Sequence, residues 1–176
     1  VERQPLLADA RVEAKLLHDR EALPFHGEHY SRSLRHRRRF TRATTRASNL
    51  AALLPPRKPA GSKFDHGLAL LVCGSRGMTG AAVLAASAAM RTGCGMTHCA
   101  APESIVPQLS HHLVETVMHP IAETAGGAPD LAAFDAVRER SSSMHALCIG
   151  PGISHDPRTS ALVRALVASV SLPTVL

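Results

Sequence analysis

Two short glycine-rich segments are the residues whose types and spacing best suit chemistry on a bound ligand. Residues 74–80 have the form G-x-x-G-x-x-G, and residues 150–152 read Gly-Pro-Gly. Glycine lets the backbone approach a ligand closely, and the free N–H groups at a helix start favour anions. Neither segment matches the P-loop or the G-x-G-x-x-G dinucleotide motif. Spacing alone therefore leaves a ligand site and a structural turn equally open, and it does not choose the ligand.

The hydrophobic pattern predicts the elements that must position these segments. The apolar run 68–73 indicates a strand buried on both faces. Further strands are predicted at 96–101, 114–118, 144–149 and 173–176, and helices at 80–92, 102–112, from 130 onwards and at 157–170. Strands that alternate with helices on this spacing predict an α/β fold, a parallel sheet covered by helices on both faces. Both glycine segments then follow strands, where ligands of such sheets bind.

Helix-start signals refine this outline. Thr79 is predicted to cap the first helix, and Asp130 and Asp156 to cap two later ones, with Pro157 at the first helical position. The first helix is rich in alanine and apolar almost all round, which predicts a helix buried in the core.

Nearly all of the net positive charge lies at the N-terminal end of the chain. The net charge is +6, but residues 1–49 carry 11 basic against 6 acidic residues, whereas the remainder carries 9 against 8. We therefore divide the chain into a basic extension, 1–49, disordered or partly helical, and an α/β domain, 50–176. The arginine-rich run 35–39 leaves polyanion binding as an alternative for the extension only, and a nucleic-acid partner is disfavoured because the α/β domain is nearly neutral.

Other residue types that carry chemistry give weaker patterns. No apolar run is long enough to span a bilayer, and no G-x-S-x-G hydrolase motif occurs. The four cysteines have no C-x-x-C spacing and are expected to be free, mostly buried thiols. His111, His112 and His119, near Glu115, are expected to be surface residues rather than metal ligands.

A series of linked motifs gives the chain a family resemblance. From about Leu50 to Leu176 the order and spacing of these motifs resemble the ADP/ATP-dependent NAD(P)H-hydrate dehydratase family, within the ribokinase-like superfamily. The motifs are Leu54-Pro55-Pro56-Arg57, Gly74-Ser75-Arg76-Gly77-Met78-Thr79-Gly80-Ala81-Ala82, Met90-Arg91-Thr92-Gly93-Cys94-Gly95, Pro102-Glu103-Ser104-Ile105 and Cys148-Ile149-Gly150-Pro151-Gly152. The resemblance implies a ribokinase-like doubly wound sheet.

The resemblance also implies an activity and a site. Family members are lyases that use ADP or ATP, with Mg²⁺, to dehydrate the S-form of hydrated NADH or NADPH, a damaged cofactor. Phosphorylation of the hydrate hydroxyl turns a poor leaving group into a good one, and loss of phosphate restores the ring. By resemblance, Thr79, Gly80, Ala81, Gly150 and Gly152 line the cleft for the hydrate. Ala81 and Gly152 are the predicted contacts, through backbone approach rather than proton transfer.

The resemblance also has implications for binding partners, oligomeric state and cellular location. The resemblance implies a cytoplasmic metabolite-repair enzyme, an epimerase of hydrated NAD(P)H as a partner, and a homo-oligomer when complete. No membrane partner, and no metal ligand or nucleotide-binding residue within this chain, is implied.

Departures from the family pattern suggest an incomplete enzyme. Ser62 and Phe64 stand where the family has His and Gly, and Ser154 replaces a further Gly. The chain ends before the family's Asp-Ala-Asp-Gly stretch and before the segment that carries its catalytic Asp. We therefore expect a fold truncated on its C-terminal side and an inactive fragment. Two alternatives stay open: a kinase of sugars or vitamin alcohols from the same superfamily, and a noncatalytic module whose basic tail binds nucleic acid.

Overall fold

The computed structural model of the chain describes residues 56–176. The basic extension 1–49 and its boundary with the α/β domain lie outside the described residues. Within them, five parallel strands form one sheet. The strands are Leu68–Val72 (β1), Met96–Pro102 (β2), Thr116–Ile121 (β3), Ala146–Ile149 (β4) and Thr174–Val175 (β5).

The strand order places β1 at the centre of the sheet. The order is β3-β2-β1-β4-β5, and Leu71 of β1 pairs with Cys99 of β2 on one side and Cys148 of β4 on the other. The chain thus builds outward from β1 through β2 to β3, and then crosses to the other side for β4 and β5. This change of direction lies between β1 and β4.

Four α-helices connect the strands. They are Thr79–Arg91 (α1), Val106–His112 (α2), Phe134–Ser141 (α3) and Pro157–Ser169 (α4), with 3-10 turns at Lys63–His66, Glu103–Ile105 and Leu131–Ala133. None of the helices within 56–176 combines the length and apolar character needed to cross a bilayer.

Two apolar clusters lie on opposite faces of the sheet. Leu71 packs with Ala82 and Ala86 of α1 and with Leu109 of α2, whereas the neighbouring Leu70 belongs to the cluster formed with α3 and α4. The second cluster includes Phe134, Val137, Leu162 and Leu166. Because successive side chains of a strand point to opposite faces, both faces of β1 are covered. The predicted α/β fold, with helices on both faces, is confirmed.

Two predictions about α1 are wrong. Thr79 is the first helical residue rather than the cap: Met78 takes the cap position, because its amide donates to the Ser75 carbonyl at 2.8 Å and closes the turn early. The helix is also not buried all round. Only Ala82 and Ala86 are buried, four residues apart on the face toward the sheet, while Leu84 is 73% exposed.

The other caps were predicted correctly, and strand bounds moved slightly. The Asp156 carboxylate accepts a hydrogen bond from the Arg158 amide at 2.8 Å, and Asp130 accepts one from the Ala132 amide at 2.8 Å. The strand expected at 114–118 is β3, which begins two residues later. The first turn of the helix expected at 102–112 is a 3-10 turn.

Candidate functional site

The candidate site lies where the strand order changes direction. The segment 74–80 (the first glycine loop) follows β1 and leads into α1, and the segment 150–156 (the second glycine loop) follows β4 and leads into α4. Because β1 and β4 are parallel neighbours, both loops leave the same edge of the sheet. In open α/β sheets the crevice at this position is the usual ligand site.

The two loops contact each other directly. The Gly74 amide donates to the Pro151 carbonyl at 3.0 Å, and the Gly150 amide donates to the Val72 carbonyl at 2.8 Å. These bonds continue the β1–β4 pairing beyond the strands, so the loop positions are set by the sheet itself.

The predicted contact residues Ala81 and Gly152 lie together. A Cβ added to Gly152 would lie 2.8 Å from the Ala81 Cβ and 3.1 Å from the Met78 carbonyl oxygen. Gly152 also has φ +72°, a conformation that L side chains rarely adopt. Position 152 therefore has neither the space nor the backbone geometry for a side chain, and its backbone packs directly on the start of α1.

Two other predicted residues border open space. A Cβ added to Gly80 or to Gly150 would meet no atom within 4 Å. Thr79, the first helical residue, is half-buried beside Gly80, and no side chain caps the N-terminus of α1. The first N–H groups of a helix have no partner within the helix and are suited to an anionic group. All five predicted residues thus lie where the two glycine loops meet beyond the carboxyl ends of β1 and β4. This region, called the crevice below, presents backbone atoms and small side chains.

The side chains at the crevice are poorly suited to proton transfer. The only acidic residue of the two glycine loops is Asp156, and its carboxylate caps α4. The Ser75 hydroxyl is buried without a hydrogen-bond partner. The thiol of Cys73, at the end of β1, lies 3.6 Å from the Cys99 sulfur, and this contact together with burial raises its pKa. Such a site can bind and orient a ligand through its backbone.

The residues do not fit a magnesium ion. Among residues 56–176, no group of three or more His, Cys, Asp and Glu side chains could hold a metal. The nearby carboxylates of Glu123 and Asp130 are engaged by Arg76 and Arg158. We therefore derive no chemical step through Mg²⁺ from the described residues.

Sequence reasoning missed a loop that touches both walls of the crevice. Residues 122–130 (the bridging loop) contact Arg76 of the first glycine loop and Arg158 of α4. The Arg158 guanidinium lowers the pKa of Asp130, and hydrogen bonds from Ser104 lower that of Glu123. The residues Gly126-Gly127-Ala128-Pro129 are typical of a turn, and no local pattern could reveal these contacts, because the partners are distant in sequence.

A histidine pair at the sheet edge was also missed. His98 of β2 is buried, and its Nδ1 lies 2.8 Å from Nε2 of His119 on β3, with the rings stacked. His119 is half-buried, so its prediction as a surface residue is wrong; His111 and His112 are exposed as expected. The cause is strand pairing, which brings His98 and His119 to one face.

Comparison with known proteins identifies the family. Residues 69–176 match the family model for NAD(P)H-hydrate dehydratase. The chain is 41% identical over 137 residues to a bifunctional NAD(P)H-hydrate repair enzyme of Salinibacter ruber, covering 77% of this chain and 25% of that protein. It is 32% identical over 126 residues to an ADP-dependent (S)-NAD(P)H-hydrate dehydratase of Xanthomonas campestris, covering 72% of this chain and 43% of that protein.

Solved structures agree in fold. An ADP/ATP-dependent NAD(P)H-hydrate dehydratase of Bacillus subtilis, co-crystallised with ATP and Mg²⁺, superposes with a TM-score of 0.55 and 26% identity, covering 72% of this chain and 42% of that one. A ribokinase-like superfamily protein of Enterococcus faecalis gives a TM-score of 0.56 at 17% identity, with 67% and 38% covered. The chain spans less than half the length of these relatives. The ribokinase-like fold and the motif resemblance are both confirmed, and the chain belongs to the NAD(P)H-hydrate dehydratase family.

Proposed function

We propose that residues 50–176 form the substrate-binding part of a nucleotide-dependent (S)-NAD(P)H-hydrate dehydratase. The observation that carries the proposal is the crevice at the β1–β4 direction change, where Ala81 and Gly152 pack together and Gly80 and Gly150 border open space. Family membership supplies the substrate class, hydrated NADH or NADPH, and the reaction class, a hydro-lyase.

The role of the crevice in this proposal is to hold the hydrate. Backbone groups of Gly80 and Gly150 approach the ligand, and the N-terminal amides of α1 donate hydrogen bonds to an anionic part of it. Thr79, Ala81 and Gly152 complete the wall. ADP or ATP would supply the phosphoryl group that is transferred to the hydrate hydroxyl, and that oxygen would then leave as phosphate. None of the residues named here is assigned to this step.

We also propose an enzymatic partner, a cellular location and an oligomeric state. Relatives named bifunctional repair enzymes support a second repair activity acting beside this one, and we propose an epimerase, because only one epimer of the hydrate is the substrate. The four cysteines are free thiols, which suits a reducing cytoplasm. Assembly as a homo-oligomer stays a prediction.

The test is direct binding of hydrated NADPH to the chain, measured by isothermal titration calorimetry. We expect Ala81→Leu to weaken binding at least tenfold, since Ala81 already packs against Gly152 and a larger side chain would displace the second glycine loop. The matched control is Ala88→Leu, an exposed position on the same helix, which should leave affinity within twofold.

Two outcomes would contradict the proposal. Equal affinities of the two variants would remove the crevice from the binding site. Binding of a sugar or vitamin alcohol, with no affinity for the hydrate, would favour the kinase alternative. The nucleic-acid alternative depends on the extension 1–49, which lies outside the described residues.

A further inference from the structure

The bridging loop is a closed turn with its own hydrogen bonds. The Thr124 amide donates to the Ala128 carbonyl at 2.8 Å, the Gly127 amide donates to the Thr124 carbonyl at 2.8 Å, and the Asp130 amide donates to the Ala122 carbonyl at 3.0 Å. Glu123 and Pro129 form an antiparallel bridge across its base. These hydrogen bonds give the loop a defined shape, so a displacement of one end of the loop also displaces the other end.

One side of the loop is joined to the first glycine loop through Arg76. The Arg76 amide donates to the Gly127 carbonyl at 2.8 Å, and its Nη1 donates to the Ala125 carbonyl at 3.4 Å. Its Nη2 lies 3.5 Å from Oε1 of Glu123, whose other oxygen accepts the Ser104 amide at 3.1 Å. Arg76 thus uses its main chain and its side chain on the same loop.

Arg76 lies against Gly127 with no space between them. A Cβ added to Gly127 would lie 2.7 Å from the Arg76 Cβ and 2.9 Å from its Nε, and Gly127 has φ +74°. A side chain at position 127 would force Arg76, and with it the first glycine loop, to move.

The other side of the loop is joined to α4, the helix that follows the second glycine loop. Asp130 accepts hydrogen bonds from Nε and Nη2 of Arg158 at 2.6 and 2.9 Å. The Thr159 hydroxyl, fully buried, donates to the Pro129 carbonyl at 2.6 Å. A two-point contact between a guanidinium and a carboxylate fixes orientation as well as distance.

We propose that the bridging loop acts as a clamp that sets the separation of the two glycine loops, with Arg76 and Arg158 as positioning residues for ligand binding. The inference rests on the proposed function for what is bound, but its structural part does not. The first glycine loop, through Arg76, and the start of α4, through Arg158, both contact the bridging loop. A shift of one of them therefore moves the bridging loop and, with it, the other. The positions of the two glycine loops determine how well a bound ligand is oriented. The bridging loop, which sets those positions, therefore affects affinity although it does not touch the ligand.

The experiment compares Gly127→Ala with Gly126→Ala in the full chain. An added Cβ at Gly126 meets only the Thr124 hydroxyl, at 3.7 Å, so it is a matched control. For Gly127→Ala we expect amide NMR shifts at Gly150 and Gly152, across the crevice, and about tenfold weaker binding of hydrated NADPH. Gly126→Ala should leave both readouts unchanged.

Arg158→Lys tests the clamp from the other side. It keeps the charge near Asp130 but loses the two-point contact, and we expect the amide signals of Gly74 and Gly77 to move. This variant decides the question if Gly127→Ala does not fold.

Failure of the two proposals can be distinguished. If wild-type protein does not bind hydrated NADPH but the amide signals respond as described, the proposed function fails and the clamp stands. If binding is normal and neither variant alters amides on the opposite wall, the clamp is overturned and the function is untouched.

Discussion

The crevice at the β1–β4 direction change and the β2–β3 edge of the sheet differ in how polar side chains from separate segments are paired. At the crevice, charged side chains from three segments pair with one another, as Asp130 does with Arg158. At the edge, two histidines share one contact, and Nε2 of His98 is left without a partner. Asp130 and Arg158, which join separate segments, form a two-point contact. His98 and His119, on adjacent strands, form one contact and leave a buried ring nitrogen of His98 without a hydrogen bond.

Removing the Asp130 carboxylate should cause the largest loss of stability of the changes considered. Asp130→Ala removes the two-point contact with Arg158 and a helix cap, so we expect a loss of about 2–3 kcal/mol in the free energy of unfolding. The Arg158 side chain is 37% exposed, and solvent screening there limits the loss. Urea denaturation measures it. The control Asp135→Asn, in an exposed pair with Arg138, should cost under about 0.5 kcal/mol, and equal losses would contradict the comparison.

Lowering the pH should reduce the stability of the fold through the His98–His119 pair at the β2–β3 edge. Burial, with a contribution from Arg140, lowers the pKa of both His98 and His119. The folded state thus resists protonation that the unfolded chain accepts below its ordinary histidine pKa, so stability should fall as pH drops from about 6.5 toward the lowered values. The decline, followed by urea midpoints from pH 8 to 5, should be shallower in His98→Gln and unchanged in His111→Gln, an exposed control. A pH-independent midpoint in the wild type would rule this out.

The smallest effect is expected at the crevice's own unpartnered group, Ser75. Replacing a buried hydroxyl that makes no hydrogen bond removes a desolvated group, so Ser75→Ala should change stability by less than about 1 kcal/mol. Thermal unfolding gives this value, and hydrated NADPH titration of the same variant shows whether the bound ligand uses the hydroxyl. A large loss of stability would mean that the hydroxyl has a structural partner in solution.

Much of the fold was predictable because its signals are local. Apolar runs such as 68–73, the Asp156-Pro157 helix start and the two glycine segments depend only on neighbouring residues. The errors have local causes too: at Thr79, a turn closed by Met78 began the helix one residue early, and the exposed Leu84 lies on a face that alanine-rich composition does not distinguish.

The sequence by itself determined the α/β alternation, the position of both glycine loops after strands and, through linked motifs, the family. Tertiary structure alone decided that these loops touch, that residues 122–130 join their walls and that His98 meets His119. Arg76 and Ala125 are 49 positions apart, and Asp130 and Arg158 are 28 apart. Such contacts exist only once strand order is set, and strand order follows from the packing of the whole sheet, not from any local pattern.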